Sequence, residues 1–158
     1  MEKITSFTVD HLRLLPGLYV SRTDRVGTET VTTFDLRMTR PNFEPVMDTA
    51  SVHAIEHLGA TYLRNEPQWK GKVLYFGPMG CRTGFYLLLA DAYVPADVRS
   101  LLCECFRFIA SYTGQIPGAA AKDCGNYEDM DLPGAKHYAL RYAEILESAD
   151  ETHFRYPE

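Results

Sequence analysis

Two histidines four residues apart, in a stretch with helical periodicity and few other polar side chains, constrain this chain most. The stretch runs from Asp48, a good N-cap, to about Leu63 and contains His53-Ala54-Ile55-Glu56-His57. On a helix, residues i and i+4 lie one above the other, about 5–6 Å apart at Cβ, so both imidazoles can reach one point. Glu56, three residues after His53, projects to the same side. The neighbours Val52, Ile55, Leu58, Ala60 and Tyr62 predict a helix buried nearly all round. Burying two His and a Glu without partners costs on the order of several kcal/mol, and a metal ion is the partner that satisfies them together. With five His in the chain, chance produces such an H-x-x-E-H pattern only about 0.01 times.

Two His do not complete a site, since a catalytic metal usually has three protein ligands and an open position. The candidates for the third are Glu104, Cys103, Cys105 and Cys124. Glu104 belongs to a polar stripe, Asp97, Ser100, Glu104, Arg107 and Ser111, whose steps of three and four mark a solvated helix face. Cys105 falls among Leu101, Leu102 and Ile109 and reads as core, with Cys103 at its border. Cys124 sits in the loop Asp123-Cys124-Gly125-Asn126-Tyr127, where a thiolate can be aimed freely, and it is the strongest of the four. Cys81 is different: it lies in a turn with Gly77, Gly80 and Gly84, where small residues let backbone or substrate approach closely. Arg82 adjoins it, and a cation there favours a thiolate.

The rest of the chain reads as a mixed fold. Leu18–Ser21 and Thr30–Met38 predict two strands around a turn at Val26-Gly27-Thr28, and the second alternates strictly. Phe34, Leu36 and Met38 face one way; Thr33, Asp35 and Arg37 face the other. Lys72–Phe76 and Phe85–Val94 predict a second strand pair, joined by the glycine-rich turn. Helices follow from Pro95 to a stop at Gly114 and from about Pro133 to Ser148, with an irregular loop over 115–130. Strand pairs joined by short turns predict an α+β fold, an antiparallel sheet with helices packed on one face. At 158 residues this is a single domain spanning 1–158. A net charge of −5 without a basic patch argues against nucleic acid as a partner. Phe85–Ala90, the longest apolar run, is far short of a membrane span. The start Met1-Glu2-Lys3-Ile4 lacks the apolar run of an export signal, so the expected location is the cytoplasm, with the cysteines as thiols.

Taken together, five motifs resemble the S-ribosylhomocysteine lyase (LuxS) family. They are Ser6 with Asp10-His11, Phe34-Asp35-Leu36-Arg37, His53-Ala54-Ile55-Glu56-His57, Gly77-Pro78-Met79-Gly80-Cys81-Arg82-Thr83-Gly84-Phe85-Tyr86 and Cys124-Gly125-Asn126-Tyr127. The resemblance covers nearly the whole chain, from Ser6 to the last helix. It implies His53, His57 and Cys124 as metal ligands, Glu56 and Cys81 as an acid/base pair, and Ser6, His11 and Arg37 lining the ribose site. It also implies one divalent metal per subunit, ferrous iron in the cell with zinc or cobalt as substitutes. The active site is expected at a homodimer interface, and the substrate is S-ribosylhomocysteine. Two stretches depart from the family pattern: Arg40 stands where Gln is usual, and Tyr75-Phe76-Gly77 where an acidic and a small polar residue are common. Two other readings compete. H-x-x-E-H helices also mark zinc peptidases of the inverted zincin type, which would leave Cys81 and Cys124 without a task. A non-catalytic metal-binding protein would hold its ion in a closed coordination shell.

Overall fold

Alternating apolar and polar residues build a four-stranded sheet in the computed structural model, which describes residues 2 and 4–157. In chain order the elements are β1 (Gly17–Val26), β2 (Glu29–Arg37), α1 (Thr49–Asn65), β3 (Val73–Pro78), β4 (Gly84–Ala90), α2 (Pro95–Ser111) and α3 (Leu132–Ser148). The strand order is β1-β2-β4-β3, every pair antiparallel, so the expected α+β architecture holds. In register, Leu18 sits opposite Leu36, Leu36 opposite Phe85, and Phe34 opposite Leu87. These side chains are fully buried with Ile55, Leu58, Leu102, Phe106, Ala139 and Leu146 of the helices. Removing a Leu or Phe side chain from water contributes about 1.5–3 kcal/mol each, which makes this layer the core.

The opposite face of β2 is also buried, although it is polar. Thr33, Asp35 and Arg37 are as inaccessible as the apolar side, together with Tyr19 of β1. The C-terminal segment covers part of this face, with Tyr156 stacked on Tyr19 at a centroid distance of 4.8 Å.

The helix ends follow their capping residues. Asp48 accepts hydrogen bonds from the Ser51 N–H (2.8 Å) and the Ser51 hydroxyl (2.7 Å) and starts α1. Asp131 does the same for α3 through the Gly134 N–H, and Pro95 opens α2. Three boundaries differ by three residues or more from those read in the sequence. β1 continues to Val26 beyond the expected Ser21, because its second half pairs with β2 as an exposed ribbon past the core. Both faces of that ribbon are wet, so its side chains carry no alternation to read. β4 stops at Ala90 rather than Val94, where Asp91 turns the backbone to φ 94°. α2 ends at Ser111, with Tyr112 already extended, three residues before Gly114.

α1 is buried on the side facing the sheet and α3, through Ser51, Val52, Ala54, Ile55, Leu58, Gly59 and Leu63. His53, Glu56 and His57 are only half-buried, so the helix is not enclosed all round. That half-open stripe faces the loop between α2 and α3, whose last residue is tied back by the Asp131 N–H to the Ala50 carbonyl at 3.0 Å. No helix among the described residues is long and apolar enough to cross a membrane.

Candidate metal centre and cleft

The α2–α3 loop is folded over α1 by the same histidines that the helix presents. Nδ1 of His53 lies 2.9 Å from the carbonyl of Asp129, and Nδ1 of His57 lies 2.8 Å from the carbonyl of Pro117. A carbonyl can only accept, so each ring carries a proton on Nδ1, and in the neutral ring the nitrogen left to bind a metal is Nε2. Such a carbonyl contact fixes the tautomer and aims the ring of a metal-binding histidine. Gly118, at φ 74°, makes the second contact possible, since a Cβ there would stand 3.1 Å from His57 Nδ1. The two rings meet edge to face with centroids 4.8 Å apart.

The loop also delivers a thiol. Cys124 Sγ lies 3.4 Å from His53 Nε2, and the Asn126 N–H points at the sulfur from 3.5 Å. One ligand atom from each of His53, His57 and Cys124 lies within 4.8 Å of the others, the only such His/Cys/Asp/Glu group among the described residues. Two imidazole nitrogens and a thiolate are a donor set that suits zinc, iron and cobalt. Glu104 is excluded from this group: it is exposed on α2 and receives the hydroxyls of Tyr62 and Ser100. Cys105 is wholly buried in the core, where burial raises its pKa well above the usual value, and Cys103 is half-buried.

Glu56 lies beside this group without a hydrogen bond among the described residues. With His53 it lines a shallow cavity of about 300 Å³ closed by Pro78, Met79 and Gly80. Ser6, His11, Arg37 and Cys81 line a different cleft of about 700 Å³, which adjoins the first through Met79 and Gly80. The sequence-predicted residues therefore divide into two groups within one chain, and Glu56 and Cys81 do not share a cavity.

In the larger cleft, His11 donates Nδ1–H to the Val9 carbonyl at 2.9 Å. Arg37 is only 3 % exposed and forms a two-pronged pair with Asp35, Nε to Oδ1 at 3.1 Å and Nη2 to Oδ2 at 2.6 Å. Burial works against the guanidinium charge, but Asp35 more than offsets it and raises the Arg37 pKa further. The remaining nitrogen, Nη1, donates to Thr83 Oγ1 at 2.6 Å and lies 4.0 Å from Cys81 Sγ, with Thr83 Oγ1 3.2 Å from the same sulfur. Arg37 is thus the cation beside Cys81. Arg82, its neighbour in sequence, adopts φ 58°, lines the Glu56 cavity and donates to the Met47 carbonyl.

Asp35 and Thr83, which hold this arrangement, were not singled out from the sequence as site residues. The spacing of Asp35 and Arg37, two apart on one strand face, is the signal that points to their pairing. The carbonyls of Pro117 and Asp129 have no side-chain signature at all.

The S-ribosylhomocysteinase (LuxS) family model matches residues 4–153. The chain is 57% identical over 158 residues to the S-ribosylhomocysteine lyase of Clostridium acetobutylicum, covering all of both chains. It is 58% identical to the enzyme of that name from Clostridium beijerinckii, over 99% of each chain. Against the S-ribosylhomocysteine lyase of Borrelia garinii it is 48% identical, over 99% of this chain and 100% of the other.

Proposed function

The chain belongs to the S-ribosylhomocysteinase (LuxS) family, and from that premise we propose how its residues carry out the lyase reaction. The substrate is S-ribosylhomocysteine, and the products are homocysteine and 4,5-dihydroxy-2,3-pentanedione, the autoinducer-2 precursor. The observation that carries this reading is the convergence of His53, His57 and Cys124, with the Glu56 carboxylate in the cavity that His53 also lines. The peptidase alternative expects a downstream Glu as third ligand, whereas here the third group is a thiol and the relatives named above are S-ribosylhomocysteine lyases.

Breaking the bond between C5 and sulfur requires a carbonyl at C3, so that the C4 proton is acidic and sulfur is a β-leaving group. The sugar starts with its carbonyl at C1. Two carbonyl shifts are needed, each removing a proton from carbon and returning one to the neighbouring carbon, followed by loss of the C4 proton and the thiol. His53, His57 and Cys124 would hold a divalent metal, ferrous iron in the cell with zinc or cobalt as substitutes, which would supply Lewis-acid polarisation of the sugar carbonyls. Cys81 and Glu56 carry protons between the carbon and oxygen positions. Ser6, His11 and Arg37 bind the ribose hydroxyls in the larger cleft and keep the sugar in register while its carbonyl migrates.

The separation of the residues into two cavities supports a homodimer in which one chain supplies the metal and Glu56 and its partner supplies Cys81. Phe7 and Phe43, at 67 % and 58 % exposed, stand at the cleft as apolar surface suited to such an interface. We place the enzyme in the cytoplasm, where free thiols are maintained. The test is release of homocysteine thiol from S-ribosylhomocysteine under anaerobic conditions by iron-loaded protein. Release that stops after chelation and returns with Fe(II) or Co(II) supports the reading; release indifferent to metal contradicts it.

A further inference from the structure

We propose that Tyr156, in the C-terminal segment, is a positioning residue that aims Arg37 into the cleft by holding the carboxylate of Asp35. The inference rests on the reading of Arg37 and Cys81 as cleft residues. The Tyr156 hydroxyl donates to Asp35 Oδ2 at 2.9 Å, the same oxygen that accepts Arg37 Nη2. Its ring is fixed by the stack on Tyr19, with an interplanar angle of 10°, and Tyr19 lies in register opposite Asp35. Burial, and then the charge of Asp35, raise the Tyr156 pKa, so the phenol stays protonated and is the donor.

The contacts form one series from the chain end to the cleft. Tyr156 donates to Asp35, Asp35 receives the fork of Arg37, and Arg37 Nη1 donates to Thr83. With its oxygen already accepting from Arg37, the Thr83 hydroxyl is free to donate to Cys81 Sγ. Asp35 is 2 % exposed, so bulk solvent has little access to Oδ2 when that donor is lost. A carboxylate deprived of that donor turns toward another, and the two-pronged geometry carries the guanidinium with it. Nη1 then leaves Thr83 and Cys81, while Ser6 and His11 are untouched. Because Arg37 both binds the ribose and stands beside Cys81, the consequence falls on kcat as well as on KM.

The test uses the full, metal-loaded chain. Tyr156→Phe keeps the ring stack and removes only the hydroxyl. The expected result is a fall in kcat of about tenfold together with a rise in KM, at unchanged metal content and a thermal midpoint within about 2 °C of the parent. In an Asp35→Asn background, the same substitution should change kcat less than about twofold, because Tyr156 acts through that carboxylate. Should Asp35→Asn fail to fold, the kcat and KM of Tyr156→Phe alone decide. A kcat within twofold of the parent, a loss confined to KM, or a loss that tracks the thermal midpoint overturns the role. Arg37→Lys, which cannot reproduce the fork, separates the two levels. If it loses activity while Tyr156→Phe does not, only the inference about Tyr156 falls; if it retains full activity, the reading of the cleft falls with it.

Discussion

Cys124 Sγ and His53 Nε2 lie 3.4 Å apart although 71 residues separate them in the chain. The contact exists because the α2–α3 loop returns to α1 and hands its carbonyls to the far nitrogens of both histidines. The histidines, the thiol and the backbone that orients them form one unit, and its parts predict distinct losses.

Removing a ligand removes the metal. His53→Ala, His57→Ala and Cys124→Ala are each expected to lose stoichiometric metal binding, measured by elemental analysis after exhaustive dialysis. Glu104→Gln should bind as the parent does, because Glu104 lies exposed on α2. Full occupancy in Cys124→Ala would remove that thiol from the site.

Cys81→Ala and Glu56→Gln should keep the metal and lose turnover. A general acid or base contributes about 10²–10⁴-fold, and in the proposed mechanism each of these residues serves several proton transfers. Cys81 is exposed at the cleft, so iodoacetamide should label it and abolish activity without releasing metal, and a substrate analogue should slow the labelling. Near-normal turnover in Cys81→Ala contradicts the proposed division of labour.

Two inactive chains should complement each other. In a mixed dimer of His53→Ala with Cys81→Ala, one site carries both defects and the other carries neither. Random reassociation of equal amounts should restore about a quarter of parental activity, and sedimentation should show a dimer at micromolar concentration. Activity no higher than that of either variant alone would place each complete site within one chain.

The helix that carries the histidines has its own pH signature. Burial raises the Asp48 pKa, but hydrogen bonds from Ser51 outweigh it, and the net shift is downward. A carboxylate whose pKa is lowered on folding stabilises the fold above its unfolded value of about 3.9, and that contribution disappears as pH falls through the folded value. Asp48→Ala should therefore cost about 1 kcal/mol at pH 7, with the difference from the parent shrinking below about pH 4 in urea titrations. A difference that persists unchanged to pH 2 contradicts a role for the ionised cap.

The metal group was legible in the sequence because helix geometry links residues four apart without knowledge of the rest of the fold. Cys124 was legible by its place in a loop, but the carbonyls of Pro117 and Asp129 depend on the loop's path and leave no trace in side-chain pattern. Arg82 adjoins Cys81 in sequence, but its positive φ and its bond to the Met47 carbonyl depend on the path of the turn, and strand pairing brings Arg37 to the sulfur. The alternation of β2 revealed the core-facing side, while burial of its polar side depends on the C-terminal segment reaching back across 121 residues to Asp35.

Elimination after carbonyl migration is distinguished from hydrolysis by its five-carbon product. Both elimination and simple hydrolysis of the thioether release homocysteine, so thiol alone does not distinguish them. Metal-loaded protein should be incubated with S-ribosylhomocysteine and an aromatic 1,2-diamine, which captures adjacent carbonyls as a quinoxaline. The account predicts one captured dicarbonyl for each thiol released; thiol accompanied by ribose, or no thiol from fully metallated protein, would contradict it.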